Sequence, residues 1–295
     1  MPEGDDITRD ALLEALAAAP AHPVALVGRV IDERFELRRR AGTGGMGAVF
    51  GAYDRARGEE VAVKLLHAVD DLDRLNREVA ALRTLEHDAV VRYVAHGETE
   101  GGELYIVMEW LEGRDLGARI VEGFLSVPQV VALGRRLCAG LAAIHDEGLL
   151  HRDLKPPNVV LVDGEVSRAT IVDLGLARRI DGATQLTRSG AALGTVGYMA
   201  PEQARGERAL TEACDLFALG CVLYEALTGS PAFRGASPVA ALRAVLHEEP
   251  PLLGPNVPDA LAAIVYDLLD KDPAARGSSA GEVGRRLAPL VVETR

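Results

Sequence analysis

The sequence predicts an α+β fold in two unequal lobes, a small β-rich lobe first and a larger α-rich lobe after it. Three observations predict this. Between Phe35 and Glu109, short alternating stretches are divided by glycine-containing turns. Beyond Gly113 the apolar residues recur mainly every three or four positions, the period of a helix. The length of 295 residues corresponds to about two domains at roughly 150 residues each, or to one large two-lobed unit.

In chain order, Asp10 to Ala19 reads as a short helix with Leu12, Leu13 and Leu16 on one side and Pro20 as its stop. Ala21 to Val30 is broken by proline and reads as a linker or edge segment. Phe35–Arg40, Gly47–Asp54 and Glu60–Leu66 read as three strands. Leu72–Leu85 is helical, because Leu75, Val79, Leu82 and Leu85 share a face. Val90–Gly97 and Leu104–Glu109 are two more strands. Val127–Gly148, Leu216–Thr228, Pro238–His247 and Ala260–Leu269 then read as helices. The chain therefore divides into an N-terminal extension over 1–30, a two-lobed unit over 31–290 (small lobe 31–111, large lobe 112–290) and a tail over 291–295.

Composition bounds the function. Apolar residues make up 48% and charged residues 26%, an ordinary globular balance. Aromatics are only 4%, so the core must be built from Leu, Val and Ala. The formal charge of −12 disfavours a general nucleic-acid binder, which carries a basic footprint. The 3 cysteines form no C-x-x-C pair, which argues against a disulfide scaffold and fits a reducing cytoplasm. No apolar run approaches about 18 residues, so no membrane segment is expected. The acidic start, Met1-Pro2-Glu3-Gly4-Asp5-Asp6, lacks the basic region of a signal peptide.

Four local patterns carry chemistry. Gly42-Thr43-Gly44-Gly45-Met46-Gly47 has the form G-x-G-x-x-G. A dinucleotide-binding turn of that form opens a helix, whereas Ala48-Val49-Phe50-Gly51-Ala52-Tyr53 follows here as a strand. A strand–glycine turn–strand makes a flap whose backbone N–H groups can approach phosphates. Val61-Ala62-Val63-Lys64 puts Lys64 on the face opposite Val61 and Val63, and Glu78, 14 residues on, is a carboxylate that could orient it. His151-Arg152-Asp153-Leu154-Lys155-Pro156-Pro157-Asn158 gathers a carboxylate, an ammonium and a carboxamide into one loop. Such groups can align a hydroxyl, neutralise a phosphoryl group and bind a hard cation. Finally Thr170-Ile171-Val172-Asp173-Leu174-Gly175 ends a strand in a second carboxylate. Taken singly, each charged group could equally belong to a structural salt bridge.

Together, in this order and with Ala200-Pro201-Glu202 after them, these motifs resemble the protein kinases, in particular the bacterial eukaryotic-like (Hanks-type) serine/threonine protein kinases. The resemblance runs from about Phe35 to Leu287 and implies the bilobal kinase fold. It implies an enzyme that moves the γ-phosphate of ATP to serine and threonine hydroxyls of proteins, with Mg²⁺ or Mn²⁺. In that reading Gly42, Gly44 and Gly47 lie over the phosphates. Val49 and Ala62 cover the adenine, Val160 lies below it, and Met108 is the gatekeeper. The backbone of Glu109 and Leu111 meets the adenine edge, and Asp115 meets the ribose. Lys64 holds the phosphates and pairs with Glu78, while Asn158 and Asp173 hold the metal. Asp153 takes the substrate hydroxyl and Lys155 the γ-phosphate.

The family likeness also implies that Arg152 is satisfied by a phosphate on the activation segment, with Thr187 and then Ser189 as the phosphorylated residues. It implies that Asp215 braces the catalytic loop and that Arg276 pairs with Glu202. Autophosphorylation would proceed between two copies of the kinase domain. Leu174 replaces a common Phe, Phe217 a usual Trp, and Gly277 stands where Pro is frequent. The Lys64–Glu78 spacing is shorter than the family's. The competing readings are a pseudokinase scaffold, which usually lacks one of Lys64, Asp153 or Asp173, and a small-molecule kinase, which usually lacks Ala-Pro-Glu.

Overall fold

The computed structural model describes residues 26–44, 47–66, 72–174, 196–207 and 209–290. The helix expected over Asp10–Ala19 lies outside them. The small lobe is an antiparallel sheet of β1 (Val30–Ile31), β2 (Phe35–Gly44), β3 (Gly47–Asp54), β4 (Glu59–Leu66), β5 (Tyr93–Glu98) and β6 (Leu104–Glu109), in the order β1-β2-β3-β4-β6-β5. Helix α1 (Leu72–Leu82) leads from β4 toward β5. Period-two alternation does what it predicts in β4: Val61 and Val63 are fully buried with Phe35, Leu37, Phe50 and Val107 on one face of the sheet. Ala62 and Lys64 take the other face, with Val49 directly opposite Lys64 and Met108 opposite Ala62. Lys64 is thus on an inner strand, not an edge. Leu26 is buried in the same core and Val30 lies in β1, so the packed unit begins a few residues before the boundary expected at 31.

Gly47 is where the flap demands glycine. Its φ is +150°, and a Cβ there would stand 1.8 Å from the Leu65 carbonyl oxygen of β4. No side chain can enter that gap, so the turn stays pressed onto the neighbouring strand.

The large lobe is a helical core with a second small sheet on its upper surface. Strands β7 (Gly113–Asp115), β8 (Val159–Val162) and β9 (Ala169–Ile171) form that sheet. Helix α2 (Leu116–Val121) follows β7. Helix α3 (Val127–Asp146) starts at Ser126, whose hydroxyl and N–H both reach Gln129 Oε1. This helix is long and apolar enough by length and composition to cross a membrane. Here, however, Val130, Leu133, Leu137, Leu141 and Ile144 are buried in the lobe. Helix α4 (Pro201–Ala204) is one turn. Helix α5 (Ala213–Thr228) is buried along nearly its whole length and ends at Gly229 with φ +72°. Helices α6 (Pro238–His247), α7 (Asp259–Leu268) and α8 (Ala280–Leu287) complete the lobe.

Two of the aromatics sit where charge is buried. Phe217 on α5 stacks on Phe233, with ring centroids 5.6 Å apart. Arg276, with no exposed surface, lies over Phe217 and donates to both carboxylate oxygens of Glu202, at 2.7 and 2.9 Å. This is the pair expected from the sequence. Removing either partner strands a buried charge, a loss of about 3–5 kcal/mol. Cys138, Cys214 and Cys221 are free and buried, and burial pushes the Cys138 thiol up to about 12. These are core hydrophobes, not nucleophiles.

Lys271 shares the aromatic platform, its ammonium 3.7 Å from the Phe233 ring centroid. The rings favour the charged form, but burial opposes it and brings the amine down to about 8. Between that value and the ordinary lysine range only the unfolded chain takes up the proton, so stability rises with pH through this window. The thermal midpoint of the wild type should therefore climb relative to Lys271→Met from pH 7 to 9.5. A constant difference across the range would contradict the buried-amine assignment.

Candidate active site

The two lobes meet where β4, α1 and the end of β6 face the loop 150–158 and the residues after β9. Lys64, only 6% exposed, is held there as a buried cation and must find a counter-charge. It finds Asp173: Nζ donates to Oδ1 across the cleft. Behind them Met108, Ile106, Leu66, Leu82 and Leu174 enclose a small apolar cavity that both charged groups border. Leu174, the replacement for Phe, is buried in the large-lobe core.

Below, the loop is organised around Asp153. Its Oδ2 accepts from Lys155 Nζ at 2.8 Å and from Asn158 Nδ2 at 3.3 Å, and its carbonyl accepts from the same Nδ2 at 2.8 Å. With both of these contacts made by nitrogen, the Asn158 amide is oriented and its Oδ1 is turned the other way. Proline at 156 and 157 fixes the short 3₁₀ turn that carries Asn158 into β8. His151 ties this loop to the residue before Asp173: the Asp153 N–H lies 3.3 Å from Nδ1, and Nε2 lies 3.0 Å from the Val172 carbonyl. One nitrogen accepts while the other donates, so His151 is the neutral Nε2–H tautomer.

Beneath the loop sits Asp215 of α5, with no exposed surface. Oδ2 accepts from His145 Nε2 at 2.9 Å and from the His151 N–H at 2.8 Å; Oδ1 accepts from the Arg152 N–H at 2.7 Å. Arg152 and Asp173 both adopt left-handed backbone, φ +61° and +62°. Each costs a non-glycine residue on the order of 1 kcal/mol, and each is a residue of this cleft.

One expected pairing is corrected. Lys64 does not pair with Glu78: its counter-charge is Asp173, and Glu78 instead accepts from Arg152 Nη1 at 3.2 Å. The physical reason is that buried cations and carboxylates must balance locally. With Asp173 paired to Lys64, Glu78 faces Arg152 instead. Arg152 thus has a carboxylate partner on α1; the activation-segment residues expected to bring it a phosphate lie outside the described residues. Asp115 serves as the N-cap of α2, its Oδ1 accepting from the Ala118 N–H at 2.9 Å. The Glu109 N–H is used by the Arg92 carbonyl. Ala62, Met108 and Val49 share the sheet face that looks onto the cleft, and Val160 lies in β8 below. Gly44 closes β2, and a Cβ on Gly42 would meet no atom within 4 Å. Thr187 and Ser189 lie outside the described residues. Gln203 was missed by sequence reasoning: its amide reaches the Arg152 carbonyl at 3.0 Å, and its place directly after Ala-Pro-Glu was the only signal.

The chain belongs to the protein kinase family: the protein kinase domain matches residues 35–284. It is 36% identical over 278 residues to a probable serine/threonine-protein kinase of Corynebacterium efficiens, which covers 88% of this chain and 42% of the relative. It is 37% identical to the serine/threonine-protein kinase pkn2 of Myxococcus xanthus, with 88% and 32% covered. To the serine/threonine-protein kinase PknA of Mycobacterium tuberculosis it is 33% identical, with 90% and 63% covered. The chain thus spans about two fifths of the length of the first of these relatives. The crystal structure of Rad53 1-466 in complex with AMP-PNP superposes with a TM-score of 0.72 at 26% identity, over 88% of this chain and 66% of that one.

Asp215 accepts from three nitrogen donors, with the Cys214 thiol also 3.8 Å from Oδ1. Asp215→Ala should therefore cost at least about 3 kcal/mol in urea unfolding, since each stranded donor is worth about 1–3 kcal/mol. A loss under about 1 kcal/mol would mean that the loop does not depend on this carboxylate.

Proposed function

We propose that the protein is a serine/threonine protein kinase that transfers the γ-phosphate of ATP to protein hydroxyls. The observation that carries this reading is the Asp153–Lys155–Asn158 cluster facing Lys64 and Asp173 across one cleft. Asp153 accepts the proton of the incoming hydroxyl, whose oxygen bonds to the γ-phosphorus as the bond to the β–γ bridging oxygen breaks. ADP leaves with the bridging oxygen. Lys155 shifts from Asp153 onto the transferring group, and Lys64 neutralises the α- and β-phosphates. This is catalysis by positioning and charge neutralisation.

The donor set fits a hard divalent cation. Asp173 supplies a carboxylate, and the amide of Asn158, its nitrogen committed to Asp153, supplies an oxygen. Bound there, Mg²⁺ or Mn²⁺ would offset charge on the phosphate oxygens. For the nucleotide to enter, the Lys64–Asp173 ion pair must be exchanged, lysine for phosphate and carboxylate for metal. Adenine would lie between Val49 and Ala62 above and Val160 below, its edge on the Glu109 carbonyl and Leu111 N–H. The second carboxylate oxygen of Asp115 would face the ribose. Gly42, Gly44 and Gly47 would cover the phosphates, and Met108 would limit the depth of the pocket.

The reading extends to a cytoplasmic enzyme acting on cytoplasmic proteins, and to autophosphorylation between two kinase domains at Thr187 and then Ser189. A phosphate there would compete with Glu78 for Arg152 and release Glu78 toward Lys64.

In an assay with γ-³²P-ATP, the wild type should label a generic protein substrate and Asp153→Ala should not, a loss of about a thousandfold or more. Equal labelling would favour a nucleotide-binding scaffold. Mass spectrometry of the labelled wild type should find phosphate on Thr187, with Ser189 second; both sites bare in active protein would refute the activation scheme.

A further inference from the structure

We propose that Gln203 is a positioning residue for phosphoryl transfer, holding the peptide plane from which Asp153 projects. The inference rests on the kinase reading above. Gln203 sits in the single turn α4, directly after Ala200-Pro201-Glu202. Its Oε1 accepts from the Ala200 N–H at 3.0 Å, and its Nε2 donates to the Arg152 carbonyl at 3.0 Å. The Arg152 carbonyl and the Asp153 N–H are the two edges of one planar peptide unit. The N–H edge lies against His151 Nδ1 at 3.3 Å, so Gln203 and His151 grip that plane from opposite sides.

A grip is needed at this place. Arg152 has φ +61°, a conformation a non-glycine residue keeps only when its surroundings impose it. Asp215 accepts from the N–H of Arg152 itself, at 2.7 Å, and Gln203 donates to its carbonyl. Rotation of the plane would swing the Asp153 carboxylate, and misplacement by about 1 Å costs on the order of a hundredfold in rate. Gln203 is itself firmly mounted. The preceding residue, Glu202, makes the bidentate pair with fully buried Arg276, so one helical turn joins the large-lobe core to the catalytic loop.

The bland account of Gln203 is helix capping, since a residue at this third position often reaches back to the cap N–H. Capping uses only Oε1. Glutamate caps as well and suits a helix N-terminus better. What glutamate cannot do when ionised is donate to a carbonyl. Gln203→Glu therefore keeps the cap and removes only the donor, and Gln203→Met keeps the shape and removes both.

At pH 8, Gln203→Glu should lose about tenfold or more in kcat, with KM for ATP within about twofold of wild type and an unchanged thermal midpoint. Amide exchange across 151–155 should quicken. Wild-type kcat in both variants overturns the proposal, as does a loss with raised KM. If Gln203→Glu does not fold, Gln203→Met carries the kcat, KM and exchange readouts: a kcat loss at unchanged KM with faster exchange supports the proposal, and wild-type kcat or a raised KM overturns it. A wild type no more active than Asp153→Ala defeats the kinase reading itself. Exchange then decides for Gln203 alone, and unchanged exchange overturns it.

Discussion

A single carboxylate with no exposed surface, that of Asp215, organises the large lobe's contribution to the cleft. It is delivered by α5, a helix buried on almost every side, and spends its lone pairs on one imidazole and two consecutive backbone N–H groups. Buried carboxylates are costly unless fully hydrogen-bonded. The fold supplies donors that hold the strained Arg152 backbone in place, so the requirement of Asp215 and the requirement of the loop are met by the same bonds. Asp153, Lys155 and Asn158 inherit their geometry from this arrangement.

The cleft's charges are paired across it. Lys64 takes Asp173 and Arg152 takes Glu78, so among these four groups each cation has its own anion. In a low-dielectric cleft this local balance is cheaper than any single unpaired charge. Under the proposed function, a polyanionic ligand would enter by exchange, displacing Asp173 from Lys64 and leaving that carboxylate for a cation.

The acidic net charge and the shortage of aromatics both become intelligible at this level. The needed cations are few and placed at points, so a chain of −12 can still hold a phosphate cleft. Two of the few aromatics have a special place. Phe217 and Phe233 sit under Arg276 and Lys271, where a π-face supports buried cations that leucine could not.

Much was determined by the sequence alone. The alternation Val61-Ala62-Val63-Lys64 put Lys64 on the face opposite Val61 and Val63, because a strand offers only two faces, and the family likeness made that face the cleft. The glycine turn followed by a strand excluded a dinucleotide turn, because helix and strand differ in what a phosphate meets. The Asp153–Asn158 cluster was legible because its members lie within one loop, where six residues cannot stray far apart. The pairing of Arg276 with Glu202 came only through family likeness. Tertiary structure alone decided which partners the charges take. Lys64, Glu78, Arg152 and Asp173 come from four separate segments, and ion pairing depends on distance and burial, which spacing along the chain does not encode. For the same reason Gln203 was invisible beforehand: its bond to Arg152 joins residues 51 apart, and only folding brings that amide to that carbonyl.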